Sequence, residues 1–199
     1  MHTTLVPDFR AQVMAVNRVE RLLRKSTQAL DGAGVPYAVI GGNAVASWIS
    51  TVDEGAVRAT KDVGLLLRRR DLPPAAEALG SVGLVLHEIH GITMFLTRRN
   101  PNPKTGVHIV FAGEKIRPAA RPSPKVDDSV RAKTGFRVLD LASLVAMKLE
   151  AFRRVDQVHI EDLIGAGLVD ESLAAELPAN LRKRLQEIQR TYREPTETA

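Results

Sequence analysis

The chain has 199 residues, of which 44% are hydrophobic and 26% are charged, so it can form an apolar core without disulfides or structural metals. It contains no cysteine, which excludes a disulfide framework, zinc–thiolate sites and cysteine nucleophiles. The 28 Lys and Arg residues exceed the 23 Asp and Glu residues by 28 − 23 = 5, and this balance favours polyanions such as RNA or nucleoside triphosphates. There is no apolar run of membrane-spanning length and no signal-peptide core, so we expect a cytoplasmic protein without membrane contact.

The first half of the chain predicts helices that alternate with short apolar strands. Apolar residues recur at helical spacing over residues 8–31, and Gly32 and Gly34 follow, so one amphipathic helix is expected there. The further elements predicted before residue 112 are strands over residues 36–40, 63–67, 84–87, 92–96 and 107–111, and helices over residues 43–49 and 71–79.

The second half predicts helices without strands. Residues 117–135 are rich in proline and charge and are expected to be irregular, and helices are expected from Asp140 onward, over residues 159–166 and over residues 178–192. This order predicts an α+β fold in which a small mixed sheet is flanked by helices. The expected domains are an α/β core with the N-terminal helix (1–135), a C-terminal helical lobe (136–192) and a disordered tail (193–199).

A pair of glycines, Gly41 and Gly42, separates the first predicted strand from the helix that follows it. Glycines at this place let backbone amides approach a phosphate closely, and a helix N-terminus favours negative charge. Glycine pairs more often only form turns, so the pair gains its significance from its spacing to Asp62.

Asp62 opens the next predicted strand, in the frame Asp62-Val63-Gly64. Residues i and i+2 of a strand share a face, and two carboxylates placed there can hold two divalent cations. Asp62 occupies the first of these positions, whereas Gly64 has no side chain to bind a metal. The alternative for Asp62 is a structural carboxylate paired with Arg58 or Lys61.

The stretch from residue 39 to residue 67 resembles the start of a nucleotidyltransferase core of the polymerase-β superfamily, with Gly64 departing from its Asp-x-Asp motif. Lys148, Arg153 and Asp162-Leu are similar to an element of AbiEii-type abortive-infection toxins and related minimal nucleotidyltransferases. The resemblance covers about residues 35–168. It implies that Asp62 is catalytic and binds Mg²⁺, with Mn²⁺ as an alternative, and that the nucleotide contacts Gly41, Gly42, Arg58, Thr60 and Lys148.

The superfamily's third carboxylate has no counterpart in the strand over residues 107–111. His108 and Val110 share one face of that strand. Because the strand contains no acidic residue, His108 is the candidate for an altered metal ligand or a catalytic base. The alternative is a histidine that is simply hydrogen-bonded. Glu114, in the following turn, is the nearest acid that could replace a missing carboxylate.

Two basic candidates also have structural alternatives. Arg58 is expected either to position phosphate or Asp62, or to anchor its loop through a carboxylate. Lys148 lies near the apolar seam of its predicted helix, where an unpartnered charge is unfavourable, so a structural ion pair with Asp162 is the alternative to a triphosphate contact.

The functional hypotheses differ in whether the chemistry is retained. The first is an enzyme that transfers a nucleoside monophosphate from a triphosphate to a hydroxyl of tRNA or protein. The second is a catalytically inactive nucleotide- or RNA-binding protein of the same fold, which Gly64 favours. A third is a toxin–antitoxin or phage-defence component that acts on tRNA.

Overall fold

The computed structural model describes residues 9–193, which form a seven-stranded mixed sheet covered by helices. The strands are β1 (Tyr37–Ile40), β2 (Val63–Leu67), β3 (Leu84–Ile89), β4 (Ile92–Thr97), β5 (Val107–Phe111), β6 (Ser129–Arg131) and β7 (Arg137–Leu139). Their order across the sheet is β3-β4-β5-β2-β1-β7-β6. β2 runs parallel to β5 and β1 parallel to β7, while the other neighbours are antiparallel.

The described helices are α1 (Phe9–Gly32), α2 (Gly41–Ile49), α3 (Leu72–Ser81), α4 (Leu141–Ala151), α5 (Arg154–Gly165), α6 (Glu171–Glu176) and α7 (Ala179–Arg193). α1 packs against α3, whereas α2 packs against α4 and α5, and both of these contact α7. One apolar core includes buried residues of both helix groups and of the central strands. Among these helices none has both the length and the hydrophobicity of a membrane span.

The mixed-sheet α+β fold predicted from the sequence is confirmed, with corrections in the second half. Residues 117–135 are not irregular throughout, because β6 lies within them and pairs with β7, which joins the sheet beside β1. β7 offers only Val138 and Leu139 as buried apolar residues, too few to show a strand period. The helix predicted over 159–166 begins at Arg154, and α6 was not predicted. The two-domain division stays a prediction, and the expected tail lies outside the described residues from position 194 onward.

The end of α4 is held by a side chain from α7. Phe152 follows α4 with a left-handed φ of 51°, which turns the chain toward α5. Arg184 Nη1 donates hydrogen bonds to the carbonyl oxygens of Leu149 (2.7 Å) and Glu150 (3.0 Å), and its guanidinium lies 4.9 Å from the centre of the Phe152 ring. A cation is favourable at a helix C-terminus, where carbonyl groups lack partners, so α7 stabilises the corner between α4 and α5.

Strand β7 is linked to α2 through Trp48, whose Nε1 donates to the Leu139 carbonyl at 3.0 Å. We expect Trp48→Phe to lower the free energy of unfolding by about 1–3 kcal/mol, because the buried carbonyl loses its side-chain donor. The exposed Val52 provides a control, and Val52→Ala should change the same quantity by less than about 0.5 kcal/mol. Urea unfolding of both variants tests this, and equal stabilities would show that the hydrogen bond is dispensable.

Candidate functional site

The position of Asp62 is fixed through its backbone. Its carbonyl oxygen accepts hydrogen bonds from Asn43 Nδ2 of α2 and from Thr60 Oγ1, both at 2.8 Å. Its carboxylate is half exposed, with 50% of the side chain accessible. Asn43 was not among the predicted site residues, although an amide within the otherwise apolar start of α2 is a usable signal. The backbone is therefore anchored while the carboxylate stays accessible to solvent.

The N-terminus of α2 lies against the segment that leads into Asp62. β1 ends at Ile40, Gly41 turns the chain with a left-handed φ of 73°, and no side chain caps the first turn of the helix. A Cβ atom at Gly42 would lie 3.1 Å from Thr60 Cβ, so Thr60 packs directly on the glycine. The uncapped amides of α2 carry partial positive charge in the neighbourhood of the Asp62 carboxylate.

Sheet register brings Asp62 and His108 to one face. Gly64 pairs with His108 across the parallel β2–β5 ladder, and Asp62 precedes Gly64 by two residues. His108 Nε2 lies 3.9 Å from Asp62 Oδ2. The structure thus brings these two predicted site residues together, while their catalytic roles stay predictions.

The hydrogen bond of His108 restricts what the imidazole can do. Its Nε2 lies 2.8 Å from the carbonyl oxygen of Pro103, which can only accept, so Nε2 carries the proton. In this arrangement Nε2 is a donor and does not serve as a metal ligand or a proton acceptor toward Asp62. Glu114 does not approach Asp62 or His108. It binds Arg69 at 2.7 and 2.6 Å, beyond the C-terminal ends of β2 and β5, whereas Asp62 and His108 lie at the N-terminal ends of these strands.

Lys148 is a buried cation with two hydrogen-bond acceptors. It is only 6% exposed, and its Nζ donates to Asp156 Oδ1 and to His159 Nδ1, each at 2.9 Å. Burial lowers the pKa of Lys148, whereas the carboxylates of Asp156 and, more weakly, of Asp62 raise it. Asp62, which immediately precedes β2, is therefore close enough to Lys148 of α4 to favour its charged form.

The ion pair between Lys148 and Asp162 expected as a structural alternative is absent. Asp162 instead binds Arg58, whose Nε lies 2.9 and 2.8 Å from the two carboxylate oxygens. The alternative interpretation of Arg58, in which it anchors its loop through a carboxylate, is therefore present in the structure. The loop that leads to Thr60 and Asp62 is in this way fastened to α5.

Asp156 links the side chains of Lys148 and Arg153. It is 1% exposed and accepts from Lys148 Nζ and from Arg153 Nε at 2.7 Å. Burial acts to raise the pKa of Asp156, but the hydrogen bond from Arg153 and the charge of Lys148 outweigh it and hold the pKa below its usual value. Burial, assisted by the charge of Lys148, lowers the pKa of His159 to about 4, so the imidazole is neutral at pH 7 and its Nδ1 accepts from Lys148.

The donor groups fit one shared cation better than a two-cation site. Within residues 9–193 no three His, Asp or Glu side chains converge as a metal site. Asp62 has an accessible carboxylate, while Asp156 and Asp162 are bound to cationic side chains. Mg²⁺ prefers oxygen ligands and is often held by one or two carboxylates together with substrate phosphates. Asp62 suits that shared mode, but the described residues do not supply a protein-held pair of cations.

Comparison with known proteins identifies the architecture. No protein-family model and no curated protein matches the chain. The structure is similar to an antigenic nucleotidyltransferase-like protein from Paracoccidioides brasiliensis (TM-score 0.55, 13% identity, 89% of each chain). It is also similar to ANT(2″)-Ia in complex with adenylyl-2″-tobramycin (TM-score 0.53, 17% identity, 86% of this chain and 97% of that chain). The chain has a nucleotidyltransferase-like fold. The AbiEii-type assignment stays a prediction.

Gly64 is constrained by packing. A Cβ atom there would lie 3.1 Å from Ile40 Cγ1 and 3.2 Å from the Ile40 carbonyl oxygen. Both contacts are tight, and one involves backbone that pairs with Gly64 in the β1–β2 ladder. The strand therefore does not offer a side chain free space.

We expect Gly64→Ala to lower the free energy of unfolding by about 1–2 kcal/mol, because β1 must move to accept the methyl group. Gly80, in α3, has open space around it, and Gly80→Ala should be neutral or stabilising by up to about 1 kcal/mol. Thermal and urea unfolding measure both effects. A Gly64→Ala protein as stable as the wild type would show that β1 yields without cost.

The pKa of His159 predicts acid sensitivity. Between pH 6.5 and about 4 the unfolded chain binds a proton at this residue that the folded protein does not, so stability falls as the pH is lowered through that range. His159→Asn keeps an acceptor but removes the titration. Between pH 7 and pH 4 the free energy of unfolding, measured with urea, should fall by about 2 kcal/mol more in the wild type than in this variant. Parallel losses would contradict the assignment of a neutral buried imidazole.

Proposed function

We propose that this chain binds the triphosphate of a nucleoside triphosphate between the N-terminus of α2 and Asp62. The observation that carries the proposal is the N-terminus of α2, which begins with two glycines and has no side-chain cap. Thr60 packs on Gly42 and donates a hydrogen bond to the Asp62 carbonyl, so this N-terminus lies next to the Asp62 backbone. Free amides at a helix N-terminus are suited to phosphate oxygens. Gly41 and Gly42 are the proposed backbone contacts of the triphosphate.

The cationic side chains supply the charge that a triphosphate requires. A lysine ammonium has three N–H donors, and the two hydrogen bonds of Lys148 to Asp156 and His159 leave one for a phosphate oxygen. Arg58 and Thr60 complete the proposed nucleotide contacts, and Arg58 is held by its ion pair with Asp162. The proposed cation is Mg²⁺, or Mn²⁺, shared by Asp62 and phosphate oxygens, where it would neutralise part of the triphosphate charge.

Transfer of a nucleoside monophosphate is the second candidate function. The nucleotidyltransferase-like fold and the accessible Asp62 carboxylate favour it. In this reaction an acceptor hydroxyl of RNA, such as tRNA, or of a protein bonds to the α-phosphorus, and pyrophosphate leaves. Asp62 and His108 are the proposed catalytic residues. Gly64 and the proton on His108 Nε2 both count against efficient transfer, so nucleotide binding is the primary proposal.

Nucleotide binding is tested by calorimetry with ATP in the presence of Mg²⁺ or Mn²⁺. We expect a dissociation constant on the order of 0.1–1 mM. Lys148→Met should weaken binding about tenfold, because a charged phosphate donor is lost, and Asp62→Asn should remove the dependence on the divalent cation. The exposed Lys183 of α7 supplies the control, since Lys183→Met should bind as the wild type does. No ATP binding with either cation would refute the proposal.

The transfer candidate is tested by pyrophosphate release from ATP with an RNA acceptor. Gly64→Asp would restore the second carboxylate, at the cost of the crowding against Ile40. We expect release in that variant to exceed wild-type release and to be abolished by the additional change Asp62→Asn. Wild-type release as fast as that of Gly64→Asp would show that Gly64 does not limit the chemistry.

A further inference from the structure

One face of α5 binds Lys148 and Arg58, the two cationic side chains proposed to contact the nucleotide. Asp156, His159 and Asp162 follow one another at intervals of three residues, so their side chains lie along neighbouring turns of the helix. Asp156 and His159 bind Lys148, and Asp162 binds Arg58. α5 thus determines where two proposed nucleotide-binding side chains lie.

The two hydrogen-bond acceptors of Lys148 differ in whether another side chain also binds them. Asp156 also accepts two hydrogen bonds from the guanidinium of Arg153, at 2.7 Å from Nε and 3.3 Å from Nη2. His159 Nδ1 has Lys148 as its hydrogen-bond partner within the described part of the chain. An ammonium group with one acceptor can swing about that contact, whereas two acceptors on different turns of α5 fix its position. His159 therefore supplies the second point that locates the Lys148 nitrogen.

The charge state of the acceptor matters as much as its position. Lys148, Arg153 and Asp156 together carry one net positive charge, and a neutral imidazole leaves that charge intact. A second carboxylate in place of His159 would cancel it and would repel an anionic ligand. A hydrocarbon side chain would leave one buried N–H of the ammonium without its partner. A neutral acceptor satisfies both requirements.

We propose that His159 is a positioning residue that fixes the ammonium of Lys148 for contact with a triphosphate. The inference rests on the proposed function for its ligand, although the contact between His159 and Lys148 does not. His159 acts through Lys148 and does not itself touch the nucleotide. Its contribution should consequently disappear when Lys148 has no ammonium group.

The test compares two substitutions of similar disruption. In His159→Asn the amide oxygen can replace Nδ1 as an acceptor, whereas His159→Leu provides none. By calorimetry with ATP and Mg²⁺ we expect the Leu variant to bind about tenfold more weakly and the Asn variant within about threefold of the wild type. In a Lys148→Met background, His159→Leu should cause no further loss. If the Leu and Asn variants both bind ATP as the wild type does, the positioning role is overturned.

A second readout is independent of nucleotide binding. The ¹⁵N signal of the Lys148 amine, followed by NMR against pH, should titrate at lower pH in His159→Leu than in the wild type, because the charged form has lost an acceptor. His159→Asn should restore the wild-type titration. Should the wild type fail to bind ATP, the proposed function fails by itself, and this titration still decides the role of His159. An unchanged Lys148 titration in a folded Leu variant overturns that role.

Discussion

The close pairing of Ile40 with Gly64 determines how the candidate site is assembled. β1 and β2 approach so closely there that a Cβ at Gly64 would meet the carbonyl oxygen of Ile40 at 3.2 Å. β1 ends at that same carbonyl, so the following turn at Gly41 starts α2 next to the beginning of β2. The helix N-terminus and Asp62 are neighbours because these strands are in register. A shift of one residue would move Asp62 to the other face.

The charged side chains near the candidate site differ in exposure and in pairing. The carboxylate of Asp62 is accessible to solvent, whereas Lys148 and Arg153 share the buried carboxylate of Asp156. Buried ion pairs contribute little net stability unless further hydrogen bonds satisfy them, and here Arg153 and His159 provide those bonds. The arrangement is suited to receiving an anion. It is less suited to holding bare divalent cations, which require several carboxylates.

The sequence predicted the first half of the fold well because its signals are local. Strands of four or five buried apolar residues, a glycine turn and the spacing to Asp62 are all visible in the amino-acid order. β7 was missed because its role depends on a distant partner, β1. The ion pair with Asp162, expected as the structural alternative for Lys148, is formed with Asp156 instead, because the partner depends on how α5 is oriented against α4. The corner at Phe152 uses a left-handed conformation without glycine, which gives no sequence signal and resets the helical phase between α4 and α5.

The contact of Arg184 with the end of α4 has a consequence for synthesis of the protein. Lys148 lies in the last turn of α4, and the carbonyl groups of the next two residues are bound by the side chain of Arg184, which is translated 35 and 34 residues after them. On the ribosome, the nascent sheet and α2 can assemble first, while the corner that carries Lys148 stays unsupported until α7 emerges. The corner between α4 and α5 therefore reaches its final arrangement only after α7 has left the ribosome.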